Sequence, residues 1–94
     1  MQYDLEDRTK KFSHSVIDLL RQMPINELNK SVVSQLIRSA TSVGANYCEA
    51  NNASSRKDFS NKIYICRKEA QETKYWLELL AKASPEFIVQ LRLL

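Results

Sequence analysis

Apolar residues recur three and four positions apart through most of the chain, the period of helices with one face turned inward. Residues 4–23 carry such a stripe in Leu5, Phe12, Val16, Leu19 and Met23, with Thr9 filling the gap. Asp4, Glu6 and Asp7 stand in its first turns, where the helix dipole favours negative charge. Pro24 stops it, because the residue before a proline is pushed out of the α region. A linker to Lys30 leads to a second helix over residues 31–52, N-capped by either Asn29 or Ser31. Its stripe is Val33, Leu36, Ile37, Ala40, Val43, Tyr47 and Ala50. Gly44 lies inside it among small residues, and a helical glycine costs about 1 kcal/mol against alanine. Close approach of a neighbouring helix would offset that cost; a ligand touching bare backbone is the alternative.

The third helix, residues 55–83, is the most legible. Ser54 or Ser55 opens it, and Asp58 lies three residues beyond Ser55 in a near capping box. Phe59, Ile63, Cys66, Ala70, Thr73, Leu77 and Leu80 alternate steps of four and three, a heptad seam. Beside it runs a second stripe of Ile65, Glu69, Glu72, Trp76 and Leu79, so the helix is expected to pack in its own bundle and against another subunit. Ser84-Pro85-Glu86 starts a fourth helix over residues 85–94, with serine as N-cap and proline at the first helical position. That helix is a stub carrying Phe87, Ile88, Leu91 and Leu94. The pattern predicts an all-α fold, an antiparallel up-down four-helix bundle with a truncated fourth member.

Ninety-four residues make a single domain spanning 1–94, with a core small enough that self-association would help it. One glycine and two prolines agree with long helices. No apolar run reaches the roughly 18–20 residues of a membrane span, and the mixed charges of the N-terminus do not form a signal peptide. Cys48 and Cys66 are too far apart for a Cys-x-x-Cys site and are read as packed free thiols of a cytoplasmic protein.

Candidate chemistry is sparse. His14 is the only histidine and has no Glu-x-x-His partner, so no metal site is expected. Glu49, Glu69 and Glu72 could converge in the bundle, with Lys62 and Lys68 as the expected mates in a structural ion-pair network. There is no phosphate-cradling loop, nucleophile elbow or Cys–His pair, so neither catalysis nor a cofactor is expected. Charge says more. The net charge of +3 lies entirely from Ser54 onward. There Arg56, Lys57, Lys62, Arg67 and Lys68 oppose only Asp58, with Tyr64 among them and Lys74 further along. Cations gathered on one element beside an aromatic are the footprint expected for a nucleic-acid backbone.

Three stretches resemble one bacterial family: Ser42 to Ala50, Ser55 to Phe59, and Lys68-Glu69-Ala70-Gln71-Glu72-Thr73-Lys74-Tyr75-Trp76-Leu77. They are similar to the four helix bundle proteins, also known as 23S ribosomal RNA intervening-sequence proteins. The resemblance implies an antiparallel protomer of a homopentameric ring, and a relation to the accessory protein of diversity-generating retroelements. It carries the family's shared positions onto Asn46, Glu49, Asp58, Phe59, Lys62, Glu69, Glu72 and Trp76, which are read as a polar network and packing anchors. Members generally have a full-length fourth helix, which this sequence lacks. The expected function is non-catalytic binding of ribosomal RNA or another nucleic acid by an oligomer, through Arg56, Lys57, Lys62, Arg67, Lys68 and Lys74. The alternatives are a protein-interaction scaffold that docks through Tyr75, Trp76 and the Leu77–Leu79 surface, as a reverse-transcriptase accessory module would, and an inert relic of a mobile insertion.

Overall fold

The computed structural model describes residues 2–94, with side chains from Leu5 onward. Four α-helices form the chain: α1 (Gln2–Gln22), α2 (Lys30–Asn51), α3 (Arg56–Ala83) and a single-turn α4 (Ile88–Arg92), preceded by a 3₁₀ turn at Pro85–Phe87. The expected ends hold to within two residues for the first three. The fourth is shorter than expected and begins with the 3₁₀ turn. Contacts fix the directions. Thr9 meets Gly44 and Glu6 meets Asn51, while Ser39 meets Thr73 and Glu49 meets Lys62. As the number on one helix rises, that on its neighbour falls, so α1, α2 and α3 run antiparallel in turn. The molecule measures 44 × 21 × 16 Å, its long axis set by α3.

The core gathers toward the end where α1 and α3 finish. Val16, Leu19, Leu20 and Met23 of α1 pack there with Leu36 and Ala40 of α2, Leu80 of α3 and Leu91 of α4. That end is clasped by a polar contact. Asn29, fully buried, accepts from the Asn26 backbone N–H at 2.9 Å and donates from Nδ2 to the Pro24 carbonyl at 3.0 Å. Nδ2 also donates to Ser84 Oγ at 2.9 Å, tying the α1–α2 loop to the end of α3. Asn29 therefore holds the N-cap position of α2 without capping it. Asn26 does the local work, its Oδ1 accepting from the backbone N–H groups of Leu28 and Asn29 at 2.9 Å each. Ser84, expected to cap the fourth helix, makes no cap hydrogen bond; its hydroxyl accepts from Asn29 instead.

Ser55 is the N-cap of α3, accepting from the Asp58 N–H at 3.0 Å. Gly44 has the expected neighbouring helix: a Cβ there would lie 3.4 Å from Thr9 Oγ1 of α1. The heptad seam of α3 divides in two. Cys66, Thr73 and Leu80 are buried against α2, whereas Ile63 and Leu77 are half-buried and Phe59 and Ala70 exposed. Neighbouring helices α2 and α3 pack closely along their length, and α1 packs on α2. Helices α1 and α3 approach far less closely than either approaches α2, which leaves a groove between them.

Candidate nucleic-acid interface

Each residue of an α-helix turns by about 100°, so position along α3 fixes which side chains share a face. Cys66, Thr73 and Leu80 point at α2. On the opposite side, within an arc of about 120°, fall Arg56, Lys57, Arg67, Lys68, Lys74 and Lys82, all exposed. Glu78 is the acid within that arc. Tyr64 and Tyr75 lie on it too, 66% and 54% exposed. Lys82 stands apart from the dense Arg56–Lys68 run in sequence, and only the helical angle brings it onto this face.

Lys62 does not join this face. It turns toward α2, where its Nζ donates to Glu49 Oε1 at 2.7 Å. That hydrogen bond, reinforced by the charge of Glu49, raises the Lys62 pKa above its ordinary value against the opposing effect of burial, with Asp58 adding the least. Glu49 thus has the lysine expected for it. Glu69 and Glu72 do not: both pair with Arg38 of α2 rather than with Lys68, which stays on the outer face. Arg38 Nη1 donates to Glu69 at 3.2 Å and its Nη2 to Glu72, while Trp76 Nε1 donates to Glu72 at 2.9 Å. One cation between two carboxylates, with an indole N–H on the second, builds a latch between α2 and α3. Beneath it Thr73 donates to the Glu69 carbonyl at 2.7 Å and stands 3.0 Å from Ser39 Oγ, both side chains buried.

The other shared positions take separate places. Asn46 donates to the Ser42 carbonyl one turn back, at 2.9 Å, and so lies outside the carboxylate network. Asp58 closes the start of α3 by accepting from the Ser54 N–H at 3.4 Å. Phe59 is exposed rather than a buried anchor. Cys66 is packed as expected, and its thiol pKa is pushed up by burial; Cys48 is instead exposed. His14 is exposed on α1.

The groove between α1 and α3 has a volume of about 1020 Å³. Its apolar walls include Leu5, Phe12, Val43, Leu77, Ile88 and Leu91, and Arg8, Lys74, Lys82 and Arg92 border it with Glu78. Among the described residues no group of three or more His, Cys, Asp or Glu could hold a metal ion, and no helix is long and apolar enough to cross a membrane.

Similar proteins place this architecture. No curated protein matches the chain. A solved structure from Bacteroides thetaiotaomicron, a protein with unknown function from the S23 ribosomal protein family, shares 37% identity with it. The match covers 93% of this chain and 81% of that one, with a TM-score of 0.77. The sequence profile for the 23S rRNA-intervening sequence protein matches residues 2–84, from the start of α1 past the end of α3. On both grounds, the chain belongs to the 23S rRNA-intervening sequence protein family.

Proposed function

We propose that this protein is a non-catalytic RNA-binding bundle whose contact surface is the outer face of α3. The carrying observation is the segregation of charge on that helix. Six cations share one exposed arc with one acid, while Lys62, Glu69 and Glu72 are turned inward into ion pairs. A face that were merely solvated would mix its signs, as α1 does. Phosphate contacts would dominate, with little sequence preference. Assembly into a homopentamer, as the family resemblance suggests, would sum five such faces into one field. Cytoplasmic RNA, ribosomal RNA among it, is the proposed partner.

The test is salt dependence. For a single strand the slope of log affinity against log salt is roughly −0.7 for each phosphate neutralised. The triple variant Lys57→Glu, Lys68→Glu and Lys74→Glu removes three exposed cations, so the slope should flatten by about 2. Its circular dichroism should not change. A slope near zero in the parent, or one unmoved by the triple reversal, overturns the reading. Native mass spectrometry tests the assembly, and a clean monomer refutes the summed field.

The groove favours a second reading, a scaffold that docks a protein segment between α1 and α3. Retention of a protein partner after nuclease treatment, lost when Leu77 is made Glu, would favour it over RNA.

A further inference from the structure

Within the basic face one line of residues has an order of its own. Lys57, Tyr64, Lys68, Tyr75 and Lys82 follow at steps of seven, four, seven and seven. At about 100° per residue they fall within roughly 40° of arc, an alternating file of lysine and tyrosine along α3. Asn61 and Gln71 fill the turns between them, also exposed. Both tyrosines are more than half exposed, although aromatic side chains gain most from burial. Tyr75 is steadied from behind by Trp76, edge-on with ring centroids 5.0 Å apart, and Trp76 is itself held by Glu72.

The spacing is informative. Tyr64 and Tyr75 are separated by about 16 Å at roughly 1.5 Å of rise per residue, which equals about five base steps of roughly 3.4 Å. A lysine flanks each ring on both sides along the same line. In a duplex the base faces are covered by their neighbours, so exposed tyrosines gain nothing there beyond the phosphate attraction of the lysines. In a single strand the faces are open to stack on aromatic rings, and phosphates between them meet cations. We infer that this face binds single-stranded RNA in preference to duplex, with Tyr64 and Tyr75 as stacking platforms and Lys57, Lys68 and Lys82 as phosphate contacts. The inference rests on the RNA-binding reading above and narrows it to one class of RNA.

The experiment compares an unstructured 12-nucleotide RNA with its own duplex, by fluorescence anisotropy at fixed salt, on the full chain and on three variants. Stacking is worth enough per base that Tyr64→Ala with Tyr75→Ala should weaken single-strand binding about 30-fold or more. Duplex binding should change less than about twofold, and Tyr64→Phe with Tyr75→Phe, which keeps both rings, should restore single-strand binding to near parent. The third variant, Lys57→Glu with Lys68→Glu, should weaken both RNAs. Equal parent affinity for the two RNAs, or equal losses on both from the alanine pair, overturns stacking while leaving salt-dependent RNA binding intact. A native mass altered by the alanine pair would assign the tyrosines to a subunit contact and overturn it too. Absence of salt-dependent binding to either RNA would instead remove the underlying reading.

Discussion

Replacing Asn29 by alanine tests the clasp that holds the two loops of the core end together. Three hydrogen bonds go with the side chain, from the Asn26 N–H and to the Pro24 carbonyl and Ser84 Oγ. Their worth differs with water access. The bond to Ser84 is buried, with Ser84 only 2% exposed, so its hydroxyl would lose its partner without gaining water, a cost of about 1–3 kcal/mol. The other two are partly buried, and water can replace the lost partner, so each is worth about 0.5–1.5 kcal/mol. The sum centres on about 4 kcal/mol, a large share of the roughly 5–15 kcal/mol available to a domain. Ser84→Ala removes one bond and should cost about 1–2 kcal/mol. Because both changes break the same bond, the double variant should fall short of additivity by about 1 kcal/mol. Urea unfolding followed by circular dichroism at constant slope gives all three values, and at about 4–8 °C per kcal/mol the melting temperature should drop sharply for Asn29→Ala. A loss below about 1 kcal/mol, or strict additivity with Ser84→Ala, would mean that the clasp does not hold this end.

Gly44→Ala should stabilise α2 by up to about 1 kcal/mol, since a Cβ meets Thr9 only at ordinary contact distance, whereas Gly44→Leu should destabilise by prising α1 away; a destabilised alanine variant in urea melts would mean that α1 lies closer than that distance. Leu80→Ala, in the full core, should cost about 3–5 kcal/mol, and Leu77→Ala, bordering the groove, less than half as much. Equal costs in the same melts would show that something fills the groove in solution. Cys48 should react with a thiol reagent in the native protein and Cys66 only on unfolding. Because burial raises the Cys66 pKa above its ordinary 9.0, its contribution is complete below pH about 9 and is lost as pH rises through the folded value. Cys66→Ala should therefore flatten the part of an alkaline decline that begins near pH 9 in melts across pH 8–11.

Helix existence was legible because period and punctuation agree. Pro24, the asparagines at 51 and 52, and Ser84-Pro85 bracket stripes that need no tertiary information to read. Caps were less legible, because a side chain offers the same groups to its own backbone and to a distant partner. Asn29 and Ser84 each stand where a cap belongs, yet neither side chain caps its helix, and the two bond to one another across 55 residues. The displaced role fell to Asn26, whose Asx turn was readable in principle from an asparagine four residues before the helix.

The site shows a sharper version of the same limit. Lys62 and Lys68 share a charge, a helix and a neighbourhood in sequence, yet one is paired with Glu49 and the other stands exposed on the outer face. Composition counts them equally; only the bearing of α2 on α3 separates them. That bearing is encoded in which seam residues are buried, since Cys66, Thr73 and Leu80 repeat every seven while their alternates do not share their burial. A seam contacted by two helices would bury both sets. Here α2 covers one set and the groove leaves the other open, so Arg56, Lys57, Arg67 and Lys68, which do not border the groove, stay in solvent whatever fills it, while Lys74 and Lys82 stand on its rim. Charge reversal at Lys57 or Lys68 can therefore be interpreted without knowing the groove's occupant, whereas reversal at Lys74 or Lys82 also changes the groove's rim.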